Sequence, residues 1–69
     1  MAAGARAKNI VLAQIPGVSA RDIRDLELEF DDGRLKYEGD LYHNNVKYEF
    51  EVDGYSGVIR KWDAESVFR

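Results

Sequence analysis

The sequence predicts an α+β domain: an N-terminal helix packed on one face of a four-stranded antiparallel β-meander. Three observations predict it. The opening segment is Ala-rich, with apolar residues at helical spacing. From Arg24 onward apolar and charged residues alternate with period two. Short turn signals, Asp32-Gly33 and Asn44-Asn45, divide the alternating runs.

The 69 residues suit one domain, 1–69, with one core. A chain this short buries only ~60% of its unfolded surface. Hydrophobic residues at 45% and charged residues at 33% suit a folded domain rather than a disordered one. No apolar run approaches the ~20 residues of a membrane-spanning helix. The start, Met-Ala-Ala-Gly-Ala, lacks the apolar core of a signal peptide. Met1 reads as an added start, and the chain as a segment cut from a longer protein.

The helix is expected over about 2–14. Ala3, Ala7, Ile10, Val11 and Gln14 fall on one stripe, and Arg6, Lys8 and Asn9 lie off it. The small side chains of Ala3 and Ala7 allow close approach to a sheet. Pro16-Gly17 ends the helix. Ser19 then reads as the N-cap of a single turn, 20–23, with Asp22 at its third position.

Strands are expected over about 24–31, 34–42, 46–53 and 58–62. Asp63 to Arg69 reads as a polar tail of open structure. Two-residue turns fix the pairing between neighbouring strands. Across the first hairpin the inward pairs are Phe30–Leu35, Leu28–Tyr37 and Leu26–Gly39. The outward pairs are Asp31–Arg34, Glu29–Lys36 and Glu27–Glu38. Across the second, Leu41–Tyr48, Gly39–Phe50 and Tyr37–Val52 face inward, and Tyr42–Lys47, Asp40–Glu49 and Glu38–Glu51 face outward. One face is apolar and the other charged, as in half-buried antiparallel sheets.

Two consequences follow. Gly39 sits mid-strand between Leu26 and Phe50, where glycine is costly unless the space is used; Phe50 or the helix is expected to use it. On the outward face Glu27, Glu38 and Glu51 line up, with Asp40 opposite Glu49, and like charges directly opposite destabilise a sheet. If Val52 pairs with Ile59, Arg60 falls beside Glu51 and relieves one end. The acidic face of Glu27, Glu38, Asp40, Glu49 and Glu51 is read as a solvated surface, with a docking patch for a basic partner as the sharper reading and a weak cation site as a third.

Other chemistry is sparse. There is no cysteine and one histidine, so no disulfide, thiolate metal site or histidine-based zinc site is expected. His43 reads as a polar neighbour of the Asn44-Asn45 turn. Ser19, Ser56 and Ser66 are the only serines, threonine is absent, and no serine is expected near His43. Asp53-Gly54-Tyr55-Ser56-Gly57 joins two strands, so it is neither a phosphate-cradling loop nor a calcium loop. No catalytic, metal or cofactor-binding residue is assigned, and no cofactor is expected. Between Asp22 and Asp53 eleven acids face four bases, a local net charge of −7, which argues against nucleic acid. Tyr42, Tyr55, Trp62 and Phe68 are candidates for partial exposure, as contact surface or as edge packing.

The third strand and the turn after it carry a resemblance. The run Val46-Lys47-Tyr48-Glu49-Phe50-Glu51-Val52-Asp53-Gly54-Tyr55-Ser56-Gly57-Val58-Ile59 resembles the signature half of PepSY domains, the peptidase propeptide and YpeB-like family. That signature is a strand with Tyr-x-Phe/Val-x-Ile/Val-Asp, a short turn ending in Gly, and a final Ile or Val strand. The Ala-rich helix, the Pro16-Gly17 break, the acidic first strand and Tyr37 are similar too, so the likeness spans about Ala3 to Asp63. Gly54 departs from the family's usual Ala, and Ser56 from its usual Thr.

The resemblance implies a non-enzymatic module that inhibits or regulates a peptidase outside the cytoplasm. Such domains occur in propeptides of thermolysin-like metallopeptidases and, often in tandem, in secreted or membrane-anchored bacterial proteins. The family offers no catalytic or inhibitory residues to carry over. A structural or spacer domain of a larger anchored protein, with no peptidase target, is the competing expectation. A protein partner could add a strand to either exposed edge, Arg24–Asp31 or Val58–Trp62.

Overall fold

A computed structural model describes residues 3–67, apart from the side chain of Ala3. The expectations for Ala2 and Phe68 lie outside the described residues. Element order is α1 (Ala3–Leu12), a 3₁₀ turn (Ala20–Asp22), β1 (Ile23–Asp31), β2 (Arg34–His43), β3 (Val46–Asp53) and β4 (Ile59–Ser66). The strands form one antiparallel sheet in the order β1-β2-β3-β4, the expected meander.

Helix α1 lays Ala7 and Val11 on the sheet, both buried, with Ile10 packed partly against them. Gln14 is exposed rather than on the buried stripe, and its Nε2 donates to the Ile10 carbonyl at 3.1 Å. The helix stops two residues before the expected end. The Gln14 amide donates to the Val11 carbonyl, a tightened last turn, before Gly17 reverses the chain at φ 88°. At the short 3₁₀ turn, the Ser19 amide donates to Asp22 Oδ2 at 3.1 Å.

Both tight turns take positive φ at their two central residues, Asp32 and Gly33, then Asn44 and Asn45. This is the turn whose twist matches paired strands. The second hairpin keeps the expected register throughout, from His43–Val46 to Lys36–Asp53. The first keeps it from Asp31–Arg34 to Glu27–Glu38 and then slips. Asp25, at φ 56°, forms a bulge, so Arg24 pairs with Asp40 and Ile23 with Leu41. The expected Leu26–Gly39 pair is therefore absent from the ladder, although the Leu26 side chain still lies beside Gly39.

Strand β4 begins one residue later than expected and runs four further, to Ser66, into the segment read as a tail. Val52 pairs with Ile59, but an irregularity follows, and Lys61 rather than Arg60 stands opposite Glu51. Arg60 turns instead to Asp53, at 3.5 Å.

The core is Ala7, Val11, Tyr37, Leu41, Phe50 and Val52. Tyr48 and Phe50 flank Trp62, with ring centroids 5.4 and 6.4 Å from it, so Trp62 is edge packing rather than a bare contact residue. Leu28 and Phe30 are different. Expected to face the core, they are 55% and 67% exposed. A ten-residue helix is about 15 Å long, whereas the ten residues of β2 run for about 33 Å. The helix covers the β2–β4 side and leaves the far end of β1 bare.

Candidate functional site

The acidic face forms on the side of the sheet away from α1. Glu27 stands opposite Glu38 and Glu38 opposite Glu51, while Asp40 stands opposite Glu49. All five sequence-predicted site residues thus share one face in the expected arrangement. With Asp25, Gly39 and Phe50, four of them line a shallow recess of about 200 Å³.

Three lysines moderate the repulsion, and sequence pairing alone misplaces one of them. Lys36 faces Glu29 in the register, yet its Nζ lies 3.0 Å from Glu38 Oε2 and 3.3 Å from Glu51 Oε1. These two contacts, Glu38 first, raise the pKa of Lys36. Lys47 pairs with Glu49 at 3.4 Å, and Lys61 reaches both Glu49 and Asp63 at 3.6 and 3.9 Å. Lys47 is also held above its ordinary pKa, by Tyr42 first and then Asp40 and Glu49. The three lysines therefore serve carboxylates of β2, β3 and β4. Among the described residues, Glu27, Glu29 and Asp31 of β1 have no ion-pair partner. Glu29 shows the effect: its pKa is raised, chiefly by the charge of Glu38, against the smaller lowering by Lys36.

The turn after β3 is a second ordered unit. Asp53 Oδ1 accepts from the amides of Tyr55 and Ser56, both at 2.8 Å, and Oδ2 lies near Arg60. These donors hold its carboxyl at about 2, below the ordinary 3.8, the Ser56 amide contributing most. The Ser56 hydroxyl accepts from the Val58 amide, so it is occupied in the turn. Arg6 of α1 donates to the Ser56 carbonyl at 3.3 Å and ties helix to turn. The recess beside this turn, about 290 Å³, mixes four acids with Arg34, Lys36 and Arg60. The sequence pattern did not mark this recess; Arg60 enters it from the irregular stretch of β4.

No acid–base–nucleophile set assembles from the expected candidates. His43 and Ser66 flank Val46 from opposite strands, roughly 10 Å apart by strand spacing. Among the described residues, no three His, Asp or Glu side chains converge on a position that could hold a metal ion. No described helix is long and apolar enough to cross a membrane.

A helix packed on one face of a four-stranded antiparallel meander, with an acidic opposite face, defines a class of small two-layer α+β domains. Within that class, the sequence model of the family described as "Peptidase propeptide and YPEB domain", PepSY, matches residues 4–63. The chain belongs to the PepSY family. Comparison with curated proteins and with solved structures gave no match. PepSY domains are generally non-catalytic, propeptide-like modules.

Proposed function

We propose that this chain is a non-catalytic regulatory module that docks on an extracytoplasmic peptidase, foremost a thermolysin-like metallopeptidase, and modulates its activity. The observation that carries the reading is one-sided coverage: α1 packs on one face, and the other presents Glu27, Glu38, Asp40, Glu49 and Glu51 as one acidic surface. Family membership supports a peptidase as the target. A location outside the cytoplasm, in a secreted or envelope-anchored bacterial protein, goes with that target. The acids act by complementarity to a basic surface, which speeds and orients association more than it tightens it.

The test is a titration of the folded domain against a metallopeptidase from its own source, following peptide hydrolysis. Inhibition at micromolar excess is expected, weakened about tenfold by Glu27→Gln combined with Glu38→Gln. No inhibition by a domain of confirmed fold would make the spacer role the better account.

A further inference from the structure

We propose that the free edge of β1, over residues 27–31, is a docking strand for an extended partner segment that alternates apolar and basic residues. The inference rests on the interaction-module reading above and specifies the partner's chemistry.

Three observations meet there. First, β1 is the outermost strand of the sheet. The Asp31–Arg34 pair closes a two-residue turn and is therefore hydrogen-bonded, and bonding alternates from it along the hairpin. Glu29 and Glu27 bond to β2, which leaves the backbone N–H and C=O of Leu28 and Phe30 pointing off the sheet. Second, the side chains of those two residues are the exposed apolar pair that α1 leaves bare. An added strand would hydrogen-bond to Leu28 and Phe30 and cover them with its own apolar residues on the same face. Third, the alternate residues of that strand would meet Glu27, Glu29 and Asp31, none of which has an ion-pair partner among the described residues. Basic residues satisfy them. The raised pKa of Glu29 agrees with an acid that lacks a cation.

Charge also selects among occupants. A second copy pairing β1 with β1 would set these acids against each other, which disfavours it. The β4 edge is a poorer acceptor, since the ladder is irregular near Arg60 and its cations already contact Asp53, Glu49 and Asp63. Residues 27–31 carry none of the lysine or proline that usually protects an edge; the Asp25 bulge only limits the site's length.

The test uses the full chain and a blocked, fluorescent hexapeptide of alternating Lys and Val. An alternating Glu and Val peptide and a block peptide of three Lys then three Val serve as controls. The alternating basic peptide is expected to shift the amide resonances of Leu28 and Phe30 and to bind at least about tenfold tighter than either control. Leu28→Lys with Phe30→Lys, both at exposed positions, is expected to abolish that preference while the fold persists. N-methylation of the valines should block antiparallel addition, and of the lysines parallel addition. No binding at millimolar peptide, equal binding of the block peptide, full binding by both methylated series, or shifts confined to β4 would each overturn the proposal. Peptidase titration reports separately. Peptide capture without inhibition removes the peptidase target and leaves the strand site. Inhibition without peptide capture does the reverse.

Discussion

The ring of Phe50 lies against Gly39, its directly opposed neighbour on β2, so closely that a β-carbon on Gly39 would stand 2.8 Å from ring carbon Cζ. Leu26 closes the other side, at 3.3 Å. The ring takes the volume a side chain would fill and shields the strand's bare backbone, a pairing that offsets the glycine's cost. Gly39→Ala should therefore destabilise by about 1–3 kcal/mol through overpacking, read as a lower denaturant midpoint. Because the obstruction is the tip of a side chain, adding Phe50→Leu to Gly39→Ala should cost less than the two single changes summed. Strict additivity in that double-mutant cycle would sink the account.

Gly54 makes a contrasting prediction. Its amide donates to the Leu35 carbonyl at 2.6 Å, and a β-carbon would stand 2.7 Å from Leu35 Cγ and 2.9 Å from the Leu35 carbonyl oxygen. Alanine, the family's usual residue, does not fit this approach without movement of backbone. Gly54→Ala should cost about 1–3 kcal/mol. Unlike the Gly39 case, trimming the neighbour with Leu35→Ala should not relieve the clash, since the carbonyl oxygen remains. Full rescue by that second change would show that the side chain alone sets the limit.

The contrast between these glycines shows where the sequence was legible. Gly39 under Phe50 followed from counting back from Asn44-Asn45, because a two-residue turn transmits register residue by residue. The same counting placed Glu27, Glu38 and Glu51 in a row. It failed where an extra residue enters: neither Asp25 nor Arg60 carries a turn signal, yet the ladder slips beside each. The exposure of Leu28 and Phe30 was invisible for another reason. Alternation assigns a face to a side chain, but whether that face is covered depends on how far a short helix reaches across the sheet. Lys36 likewise left its assigned partner, since its long stem reaches a second carboxylate on the next strand.

Asp53 should govern acid stability. Its carboxyl titrates at about 2 in the fold against an ordinary 3.8. A depressed carboxyl contributes stability that is fully present above the ordinary value and disappears as pH falls toward the folded one. Asp53→Ala should lower the thermal midpoint at pH 7. Its deficit relative to the parent should shrink as pH drops from about 4 to about 2. Asp53→Asn retains an oxygen for the Tyr55 and Ser56 amides but loses the charge, so its midpoint should fall between the two. A deficit of constant size across that range would show that turn geometry, not ionisation, is what Asp53 contributes.

Glu29 should behave with the opposite sign. Its pKa is raised, with the charge of Glu38 as the largest cause, so the folded chain holds the proton more tightly than the unfolded chain. Stability attached to this group is present at low pH and is lost as pH rises through the carboxylate range. Glu29→Gln removes the charge while keeping the shape, and should raise the thermal midpoint at neutral pH. The gain should fade as acid protonates Glu29 in the parent, and salt should also reduce it, since the repulsion lies on an exposed face. The measurement is a pair of melting series, one across pH and one across ionic strength. A neutral or lower midpoint for Glu29→Gln at pH 7 and low salt would mean that Lys36, though turned toward Glu38 and Glu51, still compensates Glu29 in full. The β1 edge would then lack the uncompensated charge on which recognition of a basic strand depends.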